Sequence, residues 1–225
     1  MTAAFGPISE ICAAAEGAGL AFRGAFHPAA EDLPAGVSAG TIVMLGFTGS
    51  EQWAAFTKSP EYRDGGAHPL DRWSYRVVSA LARELGATAF FPFTAPFMPF
   101  IRWAQKAEPV YPSAIGMLIH PDYGLWHAWR GALRFMEKLD LPPRDERPRP
   151  CDACIEKPCL SACPVKAFDG SGAFKVQACG AHIRMSDGAD CMSDGCRSRR
   201  ACPVGRGYQY APDQAAFHMK SFRGG

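Results

Sequence analysis

The chain has 225 residues, enough for one sizeable core and a small appended module. Hydrophobic residues make up 48% and charged residues 20%, an ordinary balance for a globular protein. With 24 basic against 22 acidic side chains the net charge is +2, which excludes the broad basic field of a dedicated nucleic-acid binder and predicts no nucleic-acid partner.

The charge divides unevenly but weakly. Residues 1–150 carry 14 basic against 15 acidic side chains and residues 151–225 carry 10 against 7, a mild preference for acidic partners near the C-terminus. No stretch reaches the roughly 18 apolar residues that span a bilayer. The richest, residues 87–101, is broken by Pro92, Pro96 and Pro99. Residues 1–20 include Glu10 and Glu16 and have no basic leader ahead of an apolar run, unlike a secretory signal. The expectation is a cytoplasmic protein with no membrane partner, in a compartment where thiols stay reduced.

In chain order, residues 1–140 read as a mixed α/β domain. Ile8 to Leu20 has helical spacing, with Gly17 and Gly19 near its end. Thr41 to Phe47 is a short apolar run of strand type. Asp71 reads as the N-cap of a helix from Arg72 to Leu85, closed by Gly86. Strands are expected at Ala87–Phe93 and Ser113–His120, then a turn at His120–Gly124. Leu125 to Met136 fits a helix or a strand. Asp140 to Pro150, rich in proline and charge, holds neither helix nor central strand, so residues 141–150 read as a linker. Residues 151–225 form the second module, ending in a short helix opened at Pro212 and Asp213.

That module holds the strongest signal in the chain. Eight of the nine cysteines fall between Cys151 and Cys202. The first four are Cys151, Cys154, Cys159 and Cys163, spaced by two, four and three residues. The second four are Cys179, Cys191, Cys196 and Cys202, spaced by eleven, four and five. Each set ends in Cys-Pro. Two sets of four thiols match two [4Fe–4S] clusters, which take one thiolate per iron. In paired cluster loops of this kind the Cys-Pro sulfur ligates the other cluster. That rule assigns Cys151, Cys154, Cys159 and Cys202 to one cluster, and Cys163, Cys179, Cys191 and Cys196 to the second. Structural zinc would call for two Cys-x2-Cys knuckles, and only one is present. A disulfide framework would call for an oxidising compartment. A single cluster with spare thiols is the third alternative. Cys12, on the apolar face of the first helix, reads as a small buried hydrophobe.

The segment CDACIEKPCLSACPVKAF (residues 151–168) resembles the cluster loop of bacterial two-cluster ferredoxins, and more specifically that of epoxyqueuosine reductases and their reductive-dehalogenase relatives. The preceding LIHPDYGLW (residues 118–126) and the DLPP linker are similar in order to that family. The resemblance implies an α+β architecture: a nitroreductase-like α/β domain followed by a ferredoxin-like dicluster module. It favours a strand over a helix for Leu125–Phe135. It further implies a cobalamin in the first domain and a reductase fed with single electrons by a donor such as a flavodoxin or a reductase. The alternative reading is a stand-alone ferredoxin-type carrier that docks a partner oxidoreductase. The family loop has two residues before its third cysteine, where this chain has four, and its GLGWxGK segment has no counterpart here.

Other residues read first as structural. His68, His120, His127 and His182 form no metal-type pair. Tyr123 reads as a packed ring in a turn rather than a proton donor. The run Phe90, Phe91, Phe93, Phe97, Phe100 and Trp103 reads as core before cofactor wall. Arg197, Arg199, Arg200 and Arg206 flank Cys202, to raise a cluster's potential, to dock an acidic electron donor, or as a solvated face. Gly46 and Gly49 form no phosphate-binding motif.

Overall fold

The computed structural model describes residues 6–33 and 37–224. The first five residues of the expected N-terminal domain therefore lie outside the described residues.

In chain order the regular elements begin with α1 (Gly6–Gly17), β1 (Ala21–Phe26), β2 (Thr41–Thr48), α2 (Trp53–Thr57), α3 (Pro60–Arg63) and α4 (Pro69–Glu84). There follow β3 (Thr88–Phe90), α5 (Phe100–Ala107), β4 (Tyr111–Pro112), β5 (Leu118–Ile119) and β6 (His127–Phe135). The rest is helical: α6 (Pro150–Ala153), α7 (Pro158–Ser161), α8 (Val176–His182), α9 (Ala189–Asp194), α10 (Arg197–Arg200) and α11 (Pro212–Gly224). The chain forms two compact units, 1–108 with 128–146 and 109–127 with 147–225. Residues 109–127, which the sequence reading puts in the first domain, group with the cysteines.

The first unit is a four-stranded sheet in the order β1-β2-β6-β3. Strand β2 is buried along its whole length, as its uninterrupted apolar sequence requires of a central strand. It pairs antiparallel with β1, and the register slips between Phe22 and Ala25, around Gly24. Leu125 to Phe135 does resolve as a strand, over His127–Phe135. A Cβ on Gly46 would stand 2.0 Å from the Ala128 carbonyl, so glycine is what lets β2 approach that closely.

Helix α4 starts earlier than its sequence suggests. Its N-cap is His68, and Pro69 begins the first turn with a backbone angle already suited to it. Asp71 is not the cap; it lies inside that turn and pairs with Arg130. The C-terminus follows expectation: Gly86 is left-handed at φ +66°, and the Ala87 N–H reaches back to the Ala82 carbonyl at 2.8 Å. Strand β3 is shorter than expected, because Pro92 cannot donate to a ladder. Cys12 is partly buried on α1, and burial, helped by Glu16, pushes its thiol up.

A buried ion pair anchors this unit. The Arg23 guanidinium, fully enclosed, donates to both Glu108 oxygens at 2.9–3.2 Å and to the Phe47 carbonyl at 2.7 Å. The Trp129 Nε1–H adds a bond to Glu108 at 2.8 Å. Burial pushes the Glu108 carboxyl up, against the pull of Arg23 and Trp129. Phe91, Phe100 and Trp103 are buried, Phe90 and Phe93 are half-buried and Phe97 is 73% exposed, so the aromatic run is core at half of its positions.

The second unit is built differently. Between the two-stranded β4–β5 sheet and α11 it has only short helical turns. Of the expected strand at 113–120, Leu118–Ile119 pairs with β4 and His120 bridges to Gly124, while Gly116 at φ +79° turns the chain beside Gly172. One of its buried clusters is Ile115, Ile119, Leu125 and Cys202, with Cys151, Cys159, Leu160 and Phe168 packed on it. The C-terminal helix opens at Pro212 as expected. No helix among the described residues is long and apolar enough to cross a membrane.

Candidate metal centre

The cysteines sit in or beside the short helices. Cys151 lies in the first turn of α6, behind Pro150, and Cys154 follows it; Cys159 lies in α7 and Cys179 in α8. Cys191 lies in α9, and Cys196 is the residue before α10. Helices α7 and α10 pack against each other. Each runs out into the same four residues, Ala162-Cys163-Pro164-Val165 after α7 and Ala201-Cys202-Pro203-Val204 after α10. That repeat was available in the sequence; the common Cys-Pro pair was only half of it.

The consequence is an exchange. One cavity is lined by Cys151, Cys154, Cys159 and Cys202, together with Pro203 and Val204. A second is lined by Cys163, Cys179, Cys191 and Cys196, together with Pro164 and Val165. Each Cys-Pro cysteine thus lies with the other set's first three. Mutual electrostatics follow the same grouping. Burial first, then Cys202, Cys151 and Cys154, pushes the Cys159 thiol up. Burial, then Cys196, Cys163 and Cys191, pushes the Cys179 thiol up to about 11. Crowded, desolvated thiols of this kind stay protonated unless a cation replaces their protons.

Hydrogen-bond donors already face the sulfurs. The Ala167 N–H donates to Cys163 Sγ at 3.4 Å, and backbone N–H groups of Arg197 and Val204 serve Cys191 and Cys202. Two further groups able to donate share the second cavity. Among the described residues His182 Nε2 and Ser198 Oγ are both buried without a hydrogen-bond partner, and both residues line it beside the four cysteines. Buried donors that lack a partner are costly, and a sulfur-rich group in the cavity would take them up. The donor set therefore fits iron–sulfur clusters. Among the described residues no group of three or more His, Cys, Asp or Glu side chains is placed to hold a single metal ion.

Cys202 is held from the other side by the His120–Gly124 turn. A Cβ on Gly124, at φ +57°, would meet the Val204 carbonyl at 2.1 Å, and Gly205 lies equally close to Tyr123. Tyr123 stacks on His120 at 4.3 Å and meets Tyr208 edge-on at 4.9 Å. It is a packed ring, as expected. His127 is buried and bonds to the Leu118 carbonyl at 3.1 Å, and His68 is exposed.

Three of the four arginines are tied to the protein, and Arg206 is exposed. Arg197 and Arg200 both clamp Asp190, at 2.6 and 2.7 Å, and hold its carboxyl well below the usual range. Arg199 lies between Trp126 and Tyr210, 4.3 Å from each ring centroid, and donates to the Leu125 carbonyl at 2.6 and 3.0 Å. Sequence spacing could not show this, because the two rings are 73 and 11 residues away.

No protein-family model matches the chain, and no curated protein matches it by sequence. Solved structures do match, and they define a class by fold. Epoxyqueuosine reductase from Streptococcus thermophilus aligns at 15% identity and a TM-score of 0.52, covering 92% of this chain and 70% of that one. The Bacillus subtilis enzyme aligns at 14% and 0.51, covering 90% and 66%. An epoxyqueuosine reductase in complex with an epoxyqueuosine-modified tRNA-TYR stem loop aligns at 13% and 0.50, covering 93% and 68%. The mixed α/β chain thus has a fold similar to that of epoxyqueuosine reductase.

Proposed function

We propose that this chain is an iron–sulfur redox protein that moves electrons singly. Cys151, Cys154, Cys159 and Cys202 hold one [4Fe–4S] cluster, and Cys163, Cys179, Cys191 and Cys196 hold the other. The observation that carries the reading is the exchange of the two Cys-Pro cysteines between cavities. Two independent zinc sites would not require it, whereas paired cubane clusters use it. When bound, such clusters supply reversible one-electron transfer. The chain's own residues fix and tune them: Pro164 and Pro203 end the loops, apolar neighbours exclude water, and N–H donors stabilise negative charge on sulfur.

The similarity in fold to epoxyqueuosine reductase supports a reductase, with electrons ending at a site on the chain itself. A corrinoid does not fit the cavities found within either unit. The one near His68, Tyr75 and Phe93 holds about 440 Å³, the one near Trp126 and Phe168 about 320 Å³, and the one near Val176, Arg184 and Phe222 about 620 Å³. All three lie in the range of drug-sized ligands, and a corrinoid is larger. No step proposed here passes through one. That misfit favours the second reading, a carrier that delivers electrons to a partner oxidoreductase and takes them from a flavodoxin or a reductase. As for nucleic acid, a net charge of +2 argues against a broad basic face, not against a local contact of the kind the tRNA-bound neighbour makes.

The test is iron and sulfide analysis with electron paramagnetic resonance, on anaerobically purified, dithionite-reduced protein with one equivalent of cob(II)alamin. About eight irons per chain and two interacting cluster signals are expected. A chain with iron absent, or with a single cluster, ends the two-cluster assignment. A base-off cobalt spectrum selects the corrinoid reductase, and an unchanged free-cobalt spectrum selects the carrier.

A further inference from the structure

Beside the second cysteine set lies a cavity of about 320 Å³, large enough for a bicyclic ring system. Cys179 and Cys196 line it directly, so a molecule bound there would touch the cluster's own ligands. Phe168 and Phe174, stacked on each other at 5.0 Å and only 13° from parallel, both line it. Met117, Phe174 and Phe222, each 36–38% exposed, give it an apolar rim.

Its one permanent cation is Arg199, and no carboxylate lines it. The guanidinium is immobilised between Trp126 and Tyr210, and its Nε and Nη2 are committed to the Leu125 carbonyl. Nη1 has no acceptor among the described residues. A fixed cation with spare donors in an apolar, aromatic-walled space selects a flat apolar ligand that carries acceptor oxygens and no positive charge.

We propose that this cavity binds a quinone, as the electron acceptor of the second cluster. The inference rests on the assignment of Cys179 and Cys196 as ligands of that cluster. Two one-electron transfers from the reduced clusters, with two protons from solvent, convert the quinone to its hydroquinol. Each transfer oxidises one cluster by one electron, and a low-potential one-electron donor of the flavodoxin class reduces it again. The Nη1 donors hold one quinone oxygen while negative charge builds on it.

The experiment uses the full chain, purified without oxygen, and a redox-inert hydroxyquinoline N-oxide as the probe. Binding is read by quenching of the probe's fluorescence, and the electron paramagnetic resonance of the reduced clusters is recorded with and without it. Saturable binding at one site per chain is expected, with one cluster signal perturbed and the other unchanged. Arg199→Gln, which removes the donor, and Met117→Trp, which fills the rim, should each weaken binding about tenfold or more at unchanged iron content. If Arg199→Gln loses its iron through misfolding, Met117→Trp carries the test alone. An iron-loaded chain that shows no saturable binding, or binding that Met117→Trp leaves intact, overturns the quinone site and spares the clusters. A chain that binds the probe but holds no iron overturns the cluster assignment, and with it the acceptor role.

Discussion

The two units keep their shape by different means. The first buries large side chains in the ordinary way: Phe47, Phe56, Trp73 and Trp103 are almost wholly enclosed around a central strand with no exposed residue. Each such ring contributes roughly 1.5–3 kcal/mol by leaving water. The second unit gathers Ile115, Ile119, Leu125 and Cys202 into one buried cluster, and apart from α11 its helices are turns of four to seven residues that have no stability of their own. Its cysteines lie where another domain would put leucines. One unit is held by its side chains; in the proposed reading the other is held also by the clusters its cysteines bind.

That contrast breaks most visibly when the ligands are removed. Iron chelation under reducing conditions should unfold residues 147–225 while the first unit keeps its sheet, as read by hydrogen exchange. Cys154→Ser should lower the iron from about eight to about four per chain by degrading one cluster, and Cys196→Ser should do the same to the other. Normal iron in both variants would remove the basis of the contrast.

The converse change attacks the first unit alone. Glu108→Gln removes the negative charge that faces the enclosed Arg23 guanidinium, and should cost about 3–5 kcal/mol of that unit's stability. Urea denaturation followed by tryptophan emission reads the loss, with iron content unchanged. A loss below 1 kcal/mol would mean that water reaches the pair.

A finer test separates tuning from holding. His182→Leu removes a buried donor from the second cavity and leaves all eight cysteines. The second cluster's midpoint potential should fall by roughly 20–60 mV, the equivalent of a hydrogen bond worth about 0.5–1.5 kcal/mol. The first cluster should not move in a redox titration. Equal shifts in both would assign His182 a general structural role.

The smallest effect expected is one of pH. Arg76 holds the Glu61 carboxyl down at about 2, from an ordinary value of 4.5. A depressed carboxylate adds stability that is fully present above pH 4.5 and is lost as pH falls through about 2. The melting-temperature gap between the parent chain and Glu61→Gln should therefore be widest near neutrality and close on acidification. A gap that grows below pH 4 would reverse the sign.

Much of this was legible in the sequence, for local reasons. The helical spacing of Ile8–Leu20, the apolar run at Thr41–Phe47 and the stop at Gly86 each depend on a few neighbouring residues, and each stands close to where it was expected. The expectations that slipped are those in which a proline or glycine acts one turn away. Pro69 moved a helix start from Asp71 to His68, Pro92 shortened a strand, and Gly116 replaced most of another with a turn.

Spacing alone set apart the eight cysteines and suggested their partition, because a Cys-Pro ending dictates where the chain turns and hence where its sulfur faces. Only the tertiary structure could place residues 109–127 with those cysteines, through glycines at 124 and 205 that allow two backbones to meet. It alone fixed Arg199 between two rings and left His182 and Ser198 without partners beside four thiols. A motif is written in consecutive residues, whereas burial and hydrogen-bond satisfaction depend on groups far apart in the chain, and no local pattern encodes them.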